Sequence, residues 1–156
     1  MENNIIQELV KEFNFPETSI RQPRERRISL EVGLDKFTDV LDYLMKHFNF
    51  THLCTITGLD EGQNLSFIYH LTKEGGILIN IKVSVPKENP VIKSIIPYFA
   101  GAEIYERELV DLFGAKVEGL PSGNRYPLTD NWPVGQFPLR KDWKQDMLDK
   151  KAGENA

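Results

Sequence analysis

Apolar positions along the chain follow two periods, and the switch between them marks the expected elements. Residues 4–13 set Ile5, Ile6, Leu9, Val10 and Phe13 at helical spacing. A short amphipathic helix is expected there, ending before Pro16. From Arg27 to Gly33, Ile28, Leu30 and Val32 alternate with Ser29 and Glu31, which predicts a strand. A second helix is expected from about Asp35 to Phe48. Phe37, Val40, Leu41, Leu44 and Phe48 share one face of it, opposite Lys36, Asp39, Asp42 and Lys46. Three further strands are expected at Phe50–Thr57, Leu65–Thr72 and Ile77–Val85, with Gly58–Gly62 and Lys73–Gly76 as turns. Strands joined by short turns imply an antiparallel meander, and the amphipathic helices are expected to cover one of its faces.

The second half starts with a further helical expectation. Asn89 suits a cap and Pro90 a first helical position, with a break at Pro97. Another helix is expected from about Tyr98 to Phe113, stopped by Gly114. Beyond Lys116 no period is visible, and residues 119–140 hold three of the eleven glycines and four of the nine prolines. Such a segment is expected to be extended and rarely stable alone. The resulting fold class is α+β: a mainly antiparallel sheet of about four strands covered by amphipathic helices, with an extended C-terminal tail. The expected division is an α+β domain over 1–118 and a partner-binding tail over 119–156.

Composition narrows the function classes. At 156 residues, one domain is expected, able to bury roughly 70% of its unfolded surface. The net charge of -4 argues against a nucleic-acid or anionic-membrane binder. No apolar run is long enough to span a bilayer. The start, Met1-Glu2-Asn3-Asn4, is unlike a secretory signal. Cys54 is the one cysteine, so neither an internal disulfide nor a four-cysteine iron–sulfur site can form. A cytoplasmic setting is expected. Arg21-Gln22-Pro23-Arg24-Glu25-Arg26-Arg27 carries four arginines in seven residues, read either as a solvated linker or strand entry, or as a docking patch for an acidic partner.

Candidate chemistry is sparse. His52 and Cys54 face one side of a predicted strand, and a metal would need more ligands converging there. No nucleophile elbow, phosphate loop or dinucleotide fingerprint occurs. In the helix Tyr98–Phe113, a stripe of Tyr98, Ala102, Tyr105, Leu109, Leu112 and Phe113 is expected to pack on the sheet. Arg107 should point away, with Glu106 and Glu108 flanking the stripe about 200° apart on a helical wheel. Two carboxylates so placed could hardly share one substrate. The face reads either as solvated, with a Glu103–Arg107 pair, or as a docking surface.

The motif Tyr105-Glu106-Arg107-Glu108-Leu109-Val110-Asp111-Leu112-Phe113-Gly114 resembles the signature of the respiratory complex I thirty-kilodalton subunit family. The resemblance continues through Glu118-Gly119-Leu120-Pro121, Arg125 and Trp132 to Phe137-Pro138-Leu139-Arg140-Lys141-Asp142-Trp143. Leu120 departs from the polar residue common before that proline, and residues 126–131 are less regular than the respiratory pattern. Those departures and the short chain are similar to the version in energy-converting membrane-bound hydrogenases.

The resemblance implies a non-catalytic peripheral subunit on the cytoplasmic side of the cell membrane, reaching the membrane only through its partners. The implied partners are a large hydrogenase-like subunit bearing a nickel–iron site, a small iron–sulfur subunit and a ferredoxin-like subunit. Iron–sulfur clusters and the nickel–iron site belong to them, with no cofactor in this chain. The alternative is the equivalent subunit of an NADH/quinone or ferredoxin/quinone oxidoreductase. Rivals of other classes are a freestanding regulatory binding module and an enzyme using Glu106 or Glu108 as a general base. The expected partner-binding residues are Glu106, Arg107, Glu108, Asp111, Arg125, Trp132, Phe137, Pro138, Leu139, Arg140 and Trp143.

Overall fold

The computed structural model describes residues 2–146 and Leu148. The polar sequence of residues 150–156 predicts a frayed end, which lies outside the described residues. The chain divides into two compact units, residues 1–57 with 66–84 and residues 58–65 with 85–156.

The first unit begins with helix α1, Glu2–Phe13, which buries Ile5 and Leu9. A single 3-10 turn, Glu17–Ser19, leads into strand β1, Ile20–Arg24, and then β2, Arg27–Glu31. Helix α2, Leu34–Phe48, buries Phe37, Val40, Leu41, Leu44 and Phe48, the face its spacing predicts. It stops at Asn49, whose backbone is left-handed and whose N–H caps the Leu44 carbonyl. Three long strands follow: β3, His52–Asp60; β4, Asn64–Thr72; and β5, Leu78–Pro86. The sheet order is β1-β2-β5-β4-β3. β1 and β2 are antiparallel, whereas β2 and β5 run parallel, with Ile28 beside Ile79 and Leu30 beside Ile81.

The sheet therefore has five strands rather than about four, and the fifth is the arginine-rich segment. Only Ile20 of β1 is buried, so no alternation announces the strand. One sheet face carries Ile28, Leu30, Phe67, Tyr69, Leu71, Ile79, Ile81 and Val83, all buried. The Phe37 and Tyr69 rings meet there at 4.5 Å. The other face is polar. His70 lies between Asn80 (2.8 Å) and Thr57 (2.9 Å), Ser66 meets Ser84 at 2.8 Å, and Lys82 pairs with Glu31 at 3.4 Å. These side chains satisfy one another across the strands.

The second unit contains strand β6, Val91–Lys93; helix α3, Ala102–Phe113; and strand β7, Lys116–Glu118. β6 and β7 form a two-stranded parallel sheet with Ile92 beside Val117. The helix expected from Asn89 is absent, because β-branched Val91 and Ile92 find a partner strand that local sequence could not show. The next helix starts at Ala102 instead of Tyr98, since Ile95–Phe99 forms a turn closed by the Phe99 N–H on the Ile95 carbonyl at 2.9 Å. Gly114 ends α3 as predicted, at φ 71°, with its N–H turned back on Leu109 and Val110. The expected turn at Gly58 is instead strand. A side chain there would strike the Phe113 ring at 2.4 Å, so only glycine permits that approach.

Among the described residues, no helix is long and apolar enough to cross a membrane.

Candidate docking site

Helix α3 buries Ala102, Glu106, Leu109, Asp111 and Phe113. The inward stripe is thus centred on Glu106, which is 0% exposed, and not on Tyr105. Its carboxylate accepts the Ser94 hydroxyl at 2.8 Å and the Ile95 N–H at 2.7 Å. Ser94 Oγ in turn accepts the Ile96 N–H at 3.2 Å. Glu106 thereby closes the turn after β6. Burial pushes its carboxyl above the usual carboxylate range, against the lowering effect of those two donors. With both oxygens engaged in the core, it has no route to a substrate as a general base. Glu108 is half-buried and its carboxylate meets no partner among the described residues.

Outward from that core, the same helix holds the extended segment. Arg107 donates to Glu103 Oε1 from Nε at 3.1 Å and from Nη2 at 2.7 Å, the i,i+4 pair expected from spacing. It also donates to the carbonyls of Pro121 (2.9 Å) and Asn124 (3.3 Å). Gly123 lies so close that a Cβ would sit 2.5 Å from Arg107 Nη2. Asp111 accepts Arg125 Nε and the Leu128 N–H, each at 3.2 Å. Arg125 Nη1 then reaches the Trp132 carbonyl at 2.7 Å.

Among the described residues, Arg140 pairs with no carboxylate. It donates Nε to the Phe113 carbonyl at 2.7 Å, one of the acceptors a helix end leaves open, and lies 4.7 Å above the Phe137 ring. Phe137 fills the space a side chain at Gly114 would need, 2.5 Å away. Trp132 and Trp143 sit 6.0 Å apart and donate their indole N–H groups to the carbonyl and side-chain oxygens of Gln136, each at 2.9 Å.

The end of the segment is tied at Asp60. This carboxylate accepts Lys87 Nζ at 2.7 Å, the Lys141 N–H at 2.8 Å and the Gly62 N–H at 2.8 Å. Burial works to raise its pKa, but the Lys87 ammonium and the two backbone donors outweigh it and hold the carboxyl at about 2. Lys87 bridges onward to Asp142 at 2.7 Å. Sequence reasoning does not find Asp60, Lys87 or Ser94. Asp60 precedes a Glu-Gly pair and reads as a turn residue, and nothing local links it to Lys141.

The segment is therefore fixed from within by polar groups while it turns apolar groups outward. Val134 is 86% exposed and Leu139 52%, with Tyr126 also exposed. Gly135, Gln136, Phe137, Arg140, Asp142 and Trp143, chain neighbours of Val134 and Leu139, line a shallow cleft of about 150 Å³. Pro138 is half-buried. Among the described residues, no three His, Cys, Asp or Glu side chains are grouped to hold a metal ion.

The sequence profile described as the respiratory-chain NADH dehydrogenase 30 Kd subunit matches residues 30–147. The chain belongs to that family. Within it, the chain is 32% identical to the C subunit of the F(420)H(2) dehydrogenase of Methanosarcina mazei, over 76% of each chain. It is 31% identical to the C subunit of the NADH-quinone oxidoreductase of Moorella thermoacetica, over 97% of this chain and 99% of that one. The beta subunit of the membrane-bound hydrogenase of Pyrococcus furiosus is 28% identical, over 81% of this chain and 77% of the relative. A chain in the solved structure of the membrane-bound sulfane sulfur reductase, an archaeal respiratory membrane complex, superposes with a TM-score of 0.82 at 27% identity. That match covers 98% of this chain and 91% of the other. The expected family and the α+β class both hold.

Proposed function

We propose that this family member is a non-catalytic peripheral subunit of a membrane-bound, complex I-like oxidoreductase, carrying no redox group and docking through residues 119–143 on the large subunit. The observation that carries this reading is the exposure of Tyr126, Val134 and Leu139 on a segment that is pinned to α3. Ordering extended backbone opposes folding by about 1–2 kcal/mol per residue. The internal bonds offset part of that, and the outward apolar groups gain their burial only against another protein. Glu108 and the aromatic pair Trp132 and Trp143 stand ready as rim and anchor contacts.

The large subunit in this reading is the hydrogenase-like one with a nickel–iron site, accompanied by a small iron–sulfur subunit and a ferredoxin-like subunit on the cytoplasmic side of the membrane. A second reading, the equivalent subunit of a quinone-reducing dehydrogenase, is favoured by the higher identity to the two dehydrogenase subunits. Affinity purification of the tagged chain from detergent-solubilised membranes tests the proposal. Co-elution of a large subunit and iron–sulfur subunits is expected, with nickel in the eluate under the first reading and none under the second. Elution of this chain alone would overturn both.

A further inference from the structure

Another surface with unsatisfied chemistry lies in the first unit, at the outer edge of the five-stranded sheet. Strand β1 is the terminal strand, and Arg21, Gln22, Pro23 and Arg24 are all exposed along it. Arg21 and Arg24 meet no acceptor among the described residues. Arg26 has only a loose pair with Glu25 at 3.8 Å, both side chains well exposed. Arg27 donates Nη1 to the carbonyls of Arg26 (2.9 Å) and Gly76 (3.2 Å), and no carboxylate among the described residues neutralises it. Arg24, Glu25, Arg26, Arg27 and Gly76 line one open concavity. Cationic charge is thus concentrated on one edge of a chain whose net charge is -4.

The turn itself adds a second, independent observation. Arg26 sits at φ 57°, the left-handed region that favours glycine or asparagine. Its N–H bonds Glu2 Oε1 at 2.9 Å and its carbonyl accepts the Leu78 N–H at 3.0 Å, and any residue could make those backbone bonds. Arg26 is thus held against local preference, while its side chain contributes almost nothing to the fold.

We infer that this edge binds an acidic segment of a neighbouring subunit, whose carboxylates pair with Arg24, Arg26 and Arg27. Guanidinium groups match carboxylates in a planar two-bond geometry that lysine cannot reproduce. An anionic membrane fits less well. Interfacial binders set apolar side chains beside their basic ones, whereas the flanking Ile20 and Ile28 are buried. Pro23 and the register break between Arg21 and Arg24 also disfavour simple strand addition, so recognition falls to side chains.

This inference rests on the subunit reading but uses a different surface. The test is zero-length carbodiimide coupling in the purified assembly carrying R24K and R26K, which joins lysine amines only to carboxylates within salt-bridge reach. A new link from Lys at either position to an Asp or Glu of another chain is expected. Links only to this chain's own acids, or none, would overturn the inference. R24Q/R26N is expected to weaken retention about tenfold at moderate salt. It should unfold at an equal or higher denaturant concentration, because asparagine suits the turn. Retention unchanged by R24Q/R26N would overturn the arginine edge while leaving the tail reading intact. Flotation of the full chain with phosphatidylglycerol vesicles, lost in R24Q/R26N, would assign the edge to lipid and overturn the acidic partner. A chain that co-purifies with nothing would overturn both readings.

Discussion

At the residue scale, two buried carboxylates behave oppositely. Asp60 is held at about 2 by Lys87 and two backbone donors. A carboxyl depressed below its unfolded value contributes stability that is complete above about pH 4 and lost as pH falls toward about 2. At neutral pH this is worth roughly 2 kcal/mol. Urea unfolding followed by tryptophan fluorescence should show wild-type stability falling through that window, and Asp60→Asn should flatten the fall. Glu106 is raised by burial, so ionising it above its unfolded value works against folding. Glu106→Gln can still accept the Ile95 N–H and should unfold no earlier than wild type at pH 7. Glu106→Ala orphans two donors and should cost roughly 2–4 kcal/mol.

At the scale of elements, α3 acts as a spine. Its buried stripe fixes the β6 turn, and its outer side fixes residues 121–140. Asp111→Ala should release the stretch from Arg125 to Trp132, raising amide exchange at Leu128 by about tenfold or more while α3 stays protected. Arg140→Ala should cost about 1–3 kcal/mol through the lost Phe113 carbonyl bond and the ring contact, less than a buried ion pair would. Long alternating strands and α2 are legible because each carries its own buried face. β1 is not, since its partner strand and not its side chains makes it a strand. Val91–Lys93 misleads for the same reason, because its pairing with Lys116–Glu118 lies far along the chain. Periodicity places α3 but sets on the rim a carboxylate that the structure puts in the core, because a loop needing acceptors sits opposite it. The motif around Arg140 locates the segment, and only the fold shows that Asp60 anchors it.

At the scale of the whole molecule, residues 119–143 are tied to α3 by polar groups and leave Tyr126, Val134 and Leu139 exposed. That division fits a chain folded as one part of a larger body. The most direct measurement is retention of V134D/L139D in the assembly, purified through a tagged large subunit and quantified by mass spectrometry. Both side chains point outward, so circular dichroism and the urea midpoint of the isolated variant should match wild type. Wild type is expected to elute at full stoichiometry and V134D/L139D to be largely lost, with activity falling alongside. Full retention and full activity of the variant would contradict docking through residues 119–143.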